Sequence, residues 1–222
     1  MCFSAEADFV AAIGVGIIGV DALRHVDRRA ELPLATLPML LASHQLIEGV
    51  VWLGLHDHVS VRLERIAVWL YLIIAFSILP VLVPVAVTAL EPPPRRARMV
   101  WFASVGAVVS AVLTYAIVRG PVRASVDGHH VAYDVGLWRG GGVVALYVLA
   151  TCGPLLVSSH RHIRWFGAAN LVAVTLLAWL AREALVSLWC AWAAVTSIAI
   201  AVHLRYAKRA PRAEPARDVA VR

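Results

Sequence analysis

The sequence predicts an all-α membrane protein: a bundle of seven transmembrane helices with the N-terminus outside and the C-terminus in the cytoplasm. Apolar residues make up 61% of the chain, charged residues make up 15%, and the mean hydropathy is +0.78. A soluble domain is about half apolar and about a quarter charged. Seven apolar runs are long enough to cross a hydrocarbon core of ~30 Å. The basic residues of their connections fall mostly on one side.

The first run, residues 4–23, begins with residues that favour a helix start. The Ser4 side chain can accept a hydrogen bond from a backbone N–H of the first turn, which has no partner within the helix. Glu6 and Asp8 follow in that turn, where the helix dipole favours acidic groups. The second run starts at Pro33, and proline is well tolerated in a first helical turn.

The third run contains Pro80 and Pro84, and we expect a kink there because proline removes a hydrogen bond from a helix interior. After Tyr206 the chain becomes basic and contains Pro211 and Pro215, which is typical of a disordered, solvated segment. We therefore predict a transmembrane domain over 1–206 and a basic cytoplasmic tail over 207–222. The seven runs cover residues 4–23, 33–55, 66–90, 99–118, 141–157, 165–181 and 184–206.

The distribution of Lys and Arg predicts the orientation. Most of these residues lie in the connections after the first, third and fifth runs and in the tail. Cytoplasmic connections carry the excess of basic residues in membrane proteins. The net charge of +6 therefore reflects membrane orientation, and we expect no nucleic-acid partner. The expected partners are the bilayer and a lipid or other hydrophobic substrate.

The longest connection, residues 119–140, lies on the outer side in this topology. It contains Asp127-Gly128, a dipeptide that favours a tight turn. We expect either a short β-hairpin or a re-entrant flap there.

The second run contains the most unusual residues of the chain, His44 and Glu48. Their spacing of four residues places them on one face of a helix. Ionisable groups at membrane depth cost several kcal/mol unless they are paired or functional. Glu48 is expected in the outer half of the membrane, and His44 one turn deeper.

Several other groups with ligand or acid–base chemistry are expected near the outer surface. One interpretation is a zinc or copper site, since carboxylate, imidazole and thiolate groups all bind these metals. Its candidate ligands are His44, Glu48, His129, His130, Cys2 and Cys190, and Asp134 joins Glu48 as a candidate catalytic residue.

Two alternatives use the same residues differently. Cys2 and Cys190 can instead form a disulfide, because oxidation is permitted on the outer side of the membrane. Glu48 can be a buried acid that donates or relays a proton without any metal. In the least specific interpretation, the polar groups only hydrogen-bond helices together.

The functional hypothesis is a small membrane enzyme with an outward-facing polar pocket, metal-dependent or acid–base, that acts on a lipid or hydrophobic substrate. One alternative is a proton- or metal-coupled transporter with Glu48 as the relay. Another is a structural or accessory membrane subunit.

Three segments carry a resemblance to a known family. These are the opening Met1-Cys2-Phe3-Ser4-Ala5, the segment Gln45-Leu46-Ile47-Glu48-Gly49-Val50-Val51-Trp52, and His129-His130 followed by Tyr133-Asp134. Ser187-Leu188-Trp189-Cys190 fits the same pattern. The chain resembles a bacterial family of uncharacterised multi-pass membrane proteins that begin Met-Cys-Phe-Ser-Ala. The resemblance implies a multi-pass protein of the bacterial cytoplasmic membrane, and it implies no activity.

Overall fold

A computed structural model describes residues 4–127, 130–136, 140–180 and 185–207. The described chain is helical except for one β-hairpin. Each of the seven predicted runs corresponds to helical structure, and the third is divided into two helices by a π-helical segment. The elements are α1 (Ala5–Arg24), α2 (Leu32–Leu55), α3 (Val61–Leu72), the π segment (Ile73–Ile78), α4 (Leu79–Leu90), α5 (Pro93–Arg119), β1 (Arg123–Asp127), β2 (His130–Asp134), α6 (Gly140–Val157), α7 (Arg161–Leu180) and α8 (Leu185–Ala207).

Three of these helical stretches are long and apolar enough to cross a membrane: Arg29–Leu55, Val61–Leu90 and Pro93–Arg119. Gly141–Val157 and Trp192–Arg205 are shorter apolar helices. The helical class predicted from the sequence is therefore confirmed, and these three helices have the length and composition of membrane spans.

The first two helices form a closely packed antiparallel pair. Ser4 caps α1 as predicted, because its Oγ accepts a hydrogen bond from the Ala7 backbone N–H at 3.4 Å. A Cβ atom added to Gly19 would lie 2.7 Å from the Met39 sulfur, and one added to Gly49 would lie 2.6 Å from the Phe9 ring. Such contacts are shorter than normal packing distances. The absence of a side chain at Gly19 and at Gly49 therefore permits the close approach of α1 and α2 at both positions.

The third predicted run is one long helix with a π segment where a proline kink was expected. Pro80 has no backbone N–H, and its ring would clash with the carbonyl one turn earlier in a regular α-helix. The π segment widens the helix directly before it. Side chains of neighbouring helices bond to two carbonyls of this segment: Tyr147 Oη donates to Ala75 O at 2.8 Å, and Ser110 Oγ donates to Ser77 O at 2.8 Å.

The connection after α4 and the connection after α6 meet at one end of the bundle. Glu91 is only 1% exposed. Its Oε1 accepts hydrogen bonds from Ser158 Oγ at 2.5 Å and from the Ser159 backbone N–H at 2.8 Å. Burial raises the pKa of Glu91, but these hydrogen bonds outweigh burial and hold the pKa below its ordinary value.

The connection after α5 forms the predicted hairpin. β1 and β2 are antiparallel, with Asp127 opposite His130 and Arg123 opposite Asp134. Val131 is buried and belongs to the same apolar cluster as Trp52 of α2 and Ile117 of α5. The hairpin therefore folds down onto the helix ends.

Candidate functional site

Two carboxyl groups from different helices are buried together at the α1–α2 interface. Asp8 is 0% exposed and Glu48 is 1% exposed. The two groups are electrostatically coupled. They are brought to the same level because the adjacent residues, Phe9 and Gly49, form the close contact between the helices.

Tyr71 of α3 joins this pair to an aromatic column. Its side chain is hydrogen-bonded to Glu48. One face of its ring stacks on His44, with the ring centroids 3.9 Å apart and an interplanar angle of 27°. It also stacks on Tyr133 of the hairpin, at 4.4 Å and 15°. We call these five residues, Asp8, His44, Glu48, Tyr71 and Tyr133, the acid–tyrosine cluster.

The cluster contains polar atoms that the described residues do not use. His44 Nε2 and Tyr133 Oη are buried and accept or donate no hydrogen bond within the described part of the chain. The same is true of Trp52 Nε1, one turn beyond Glu48 on α2. Buried polar groups in proteins are nearly always hydrogen-bonded. These three atoms are therefore available to a small polar ligand.

The structure places the predicted site residues in different surroundings. His44 and Glu48 share one face of α2, as their spacing predicted, and the structure shows that both contact Tyr71. Asp134 is exposed, and its Oδ1 accepts a hydrogen bond from the Gly136 backbone N–H at 2.9 Å. Successive residues of a strand face opposite sides. For this reason Tyr133 reaches the cluster while Asp134 lies on the outer face of the hairpin.

The other predicted ligands lie partly or wholly outside the described residues. Cys2 and His129 are outside them. The structure describes only the backbone of His130, in β2, and of Cys190, in α8. Among the described residues, no group of three or more His, Cys, Asp or Glu side chains is arranged to hold a metal ion. The zinc or copper site and the disulfide stay predictions.

Asp8, Tyr71 and Tyr133 were not predicted as site residues. A signal for Asp8 is present in the sequence: it continues a stripe of buried small residues along α1, namely Ala5, Ala12, Val15, Gly19 and Ala22. An acidic residue in a stripe that packs against another helix indicates a buried polar contact. Tyr71 has no comparable signal, because an aromatic residue in an apolar run is ordinary in a membrane helix.

A large apolar cavity lies beside the cluster. Its volume is about 620 Å³, and it is enclosed mainly by α2, α4, α6, α7 and α8. α2 contributes Leu34, Leu37 and Leu41 to its wall, and His44 follows within one helical turn. The helix that carries Tyr71 contributes Phe76 and Leu79. The cavity and the acid–tyrosine cluster therefore share two helical stretches, α2 and the long helix that contains α3 and α4.

Comparison with curated proteins and with solved structures found no significant match. A family model, described as a family of unknown function (DUF6629), matches residues 1–217. The match covers nearly the whole chain, including every residue of the acid–tyrosine cluster. The chain is a member of this family of unknown function, DUF6629.

Proposed function

We propose that the chain is a multi-pass protein of the bacterial cytoplasmic membrane, with seven spans, the N-terminus outside and the C-terminus inside. Contacts at one end of the bundle support this topology. Asp21 near the end of α1 accepts two hydrogen bonds from Arg205 near the end of α8, at 2.6 and 2.9 Å. Glu91 and Ser158 join two further connections. All four positions belong to the side that the basic residues assign to the cytoplasm.

We propose further that the protein is a proton-coupled transporter of a hydrophobic molecule. The observation that carries this proposal is the buried Asp8–Glu48 pair. Two coupled carboxyl groups at membrane depth cannot both be ionised without a large cost. Paired carboxyl groups in other proteins share one proton, and in the proposed transporter this pair takes up and releases the coupled proton.

Tyr71 gives the proton site a connection to the rest of the molecule. Its hydroxyl donates to the Glu48 carboxylate, and this hydrogen bond changes when Glu48 takes up a proton. Its ring stacks on Tyr133, which extends the column to the outer hairpin. Protonation at Glu48 therefore alters contacts of both the long helix and the hairpin.

The π segment is the element through which the proton site would act on the cavity. It lies between Tyr71 on one side and Leu79, which lines the cavity, on the other. π segments are often found at functional sites. The hydrogen bonds from Tyr147 and Ser110 hold two of its carbonyls, and their rearrangement would shift the cavity wall relative to Tyr71.

The transporter is tested with the protein in proteoliposomes that contain a pH-sensitive dye. The single-chain amphiphile hexadecyl phosphate is added outside as the probe. We expect proton movement that depends on the probe and is abolished in Glu48→Gln and Asp8→Asn. Glu6→Gln, an exposed carboxyl group on the same helix, is the control and should retain wild-type movement. Wild-type movement in Glu48→Gln would refute the proposal.

An acid–base membrane enzyme, with or without zinc or copper, is the second candidate. His44 Nε2, Trp52 Nε1 and Tyr133 Oη favour it, because these polar atoms beside Glu48 are available to a substrate. Metal analysis of the purified protein separates the candidates. Stoichiometric zinc or copper that is lost in Glu48→Gln or His130→Ala would favour the enzyme. If Glu48→Gln changes neither metal content nor proton movement, the cluster is structural, as in an accessory subunit.

A further inference from the structure

The apolar cavity has the dimensions of a site for one hydrocarbon chain. Its volume of about 620 Å³ is within the range of ligand pockets, roughly 300–1,000 Å³. Along α6 its wall extends from Val143 to Leu155, which is about 18 Å at 1.5 Å per residue. One leaflet of the hydrocarbon core is about 15 Å deep. A single chain from one leaflet would fill the cavity.

Four polar side chains in the middle of the wall, those of Tyr147, Thr151, Asn170 and Trp192, are already hydrogen-bonded. Tyr147 Oη donates to Ala75 O, and Thr151 Oγ1 donates to Tyr147 O at 2.9 Å. Asn170 donates to Cys152 Sγ at 3.2 Å and accepts from Trp192 Nε1. The interior therefore offers a ligand almost only apolar surface. A polar or branched ligand would lose hydrogen bonds with water there without replacing them.

One end of the cavity is polar. His162 and His203 line it, with ring centroids 4.5 Å apart. This is the end at which α7 begins, so the free backbone N–H groups of its first turn lie there too. Exposed Arg161 and Arg164 belong to the same turn.

The buried acidic groups Glu31 and Glu91 at this end are already engaged by neighbouring groups. Glu31 is bound by the Arg28 guanidinium at 2.7 Å, and Glu91 is bound by Ser158 and Ser159. The exposed guanidinium groups of Arg161 and Arg164, in the first turn of α7, supply positive charge at this end. A helix N-terminus together with basic side chains favours an anion.

Access to the cavity lies between α7 and α8. α7 packs on α6 and α8 packs on α1 and α2, whereas the described residues of α7 and α8 make few contacts with each other. Trp192 bridges this gap through its hydrogen bond to Asn170 and by stacking on Phe166, with ring centroids 6.3 Å apart. A lipid chain in the bilayer would reach the cavity by displacing this bridge.

We propose that the cavity binds a single-chain amphiphile, with its hydrocarbon chain along α6 and its anionic head at His162 and His203. The ligand enters from the membrane between α7 and α8. This inference names the substrate class of the proposed transporter and rests on that function. The cavity itself is assigned from its own geometry and can be tested without any proton gradient.

The test is equilibrium binding of radiolabelled hexadecyl phosphate to the full-length protein in detergent. Thr196→Trp places a large side chain in the cavity wall, whereas Ile198→Trp places it on the exposed face of the same helix. We expect Thr196→Trp to weaken binding at least about tenfold, or ~1.4 kcal/mol, and Ile198→Trp to leave it unchanged. Both variants are first checked for wild-type elution and thermal unfolding. If Thr196→Trp does not fold, Ala199→Trp, at another lining position, replaces it.

The head group is tested with His162→Ala and His203→Ala. Each should weaken binding of hexadecyl phosphate and leave binding of uncharged hexadecanol unchanged. Equal binding by Thr196→Trp and wild type, or equal loss of both probes in the histidine variants, would overturn the inference.

Glu48→Gln should bind hexadecyl phosphate normally. A Glu48→Gln variant that still moves protons therefore refutes the transporter, whereas normal binding by Thr196→Trp refutes the cavity site.

Discussion

His44 stacks on Tyr71 with the ring centroids 3.9 Å apart, so the imidazole and the phenol form one unit across the α2–α3 interface. The same tyrosine is hydrogen-bonded to Glu48. His44 and Glu48 are therefore related through a third residue on another helix as well as through their spacing on α2. Several consequences of this arrangement can be measured.

Removal of the Tyr71 hydroxyl should destabilise the protein without disturbing the stack. Tyr71→Phe keeps both ring contacts and leaves the Glu48 carboxyl with one donor fewer. The loss of a buried hydrogen bond costs about 1–3 kcal/mol. Thermal unfolding in detergent measures it, with Tyr115→Phe, an exposed tyrosine on α5, as the control. Equal stability of the two variants would show that the hydroxyl contributes nothing.

Asp8 and Glu48 should be energetically coupled. Each single neutralisation, Asp8→Asn or Glu48→Gln, removes the cost of burying one carboxyl group beside another, so the second neutralisation gains less. We expect the free energies of unfolding of the single and double variants to be non-additive by about 0.5–3 kcal/mol. Glu6→Gln combined with Glu48→Gln should be additive. Additivity of the Asp8–Glu48 pair would contradict the coupling.

Glu91 should make stability depend on pH. Its pKa is lower in the folded chain than in the unfolded chain, so its contribution is complete above the ordinary pKa of 4.5 and is lost as pH falls through the folded value. Unfolding of wild type and Glu91→Gln, followed from pH 7 to pH 3, should therefore converge in acid. Ser158→Ala should reduce this dependence, and Ser104→Ala, an exposed serine, should not. Parallel curves for wild type and Glu91→Gln would contradict this role.

Gly106 should tolerate no side chain. A Cβ atom there would meet the Pro80 carbonyl oxygen, a backbone group that cannot move without shifting α4. Gly106→Ala should cost about 1–3 kcal/mol, the usual range for overpacking, or more. Gly14→Ala is the matched control, because no described atom outside the backbone of its own helix lies within 4 Å of its Cβ position, and it should stabilise the helix by up to about 1 kcal/mol. A neutral Gly106→Ala would mean that α4 and α5 are farther apart.

The proposed topology predicts which residues a membrane-impermeant thiol reagent reaches. In a variant without the three native cysteines, Ser125→Cys in the hairpin should be labelled in intact cells. Arg95→Cys at the start of α5 should be labelled only after the membrane is permeabilised. The reverse pattern would invert the topology, and labelling of both in intact cells would exclude an odd number of spans between them.

The sequence alone determined the helices, because long apolar runs and their capping residues depend on neighbours along the chain. The Ser4 cap and the hairpin around Asp127 were predictable in this way, whereas a kink was expected at Pro80 and Pro84 and the structure has a π segment before Pro80. His44 and Glu48 were recognisable because polar groups in an apolar run are costly wherever the helix packs. Only the tertiary structure brought Asp8 and Tyr71 to Glu48, placed Tyr133 on Tyr71 and turned Asp134 outward. Those relationships depend on which helix faces cross and at what level, and residues far apart in the chain carry no local signal of that contact.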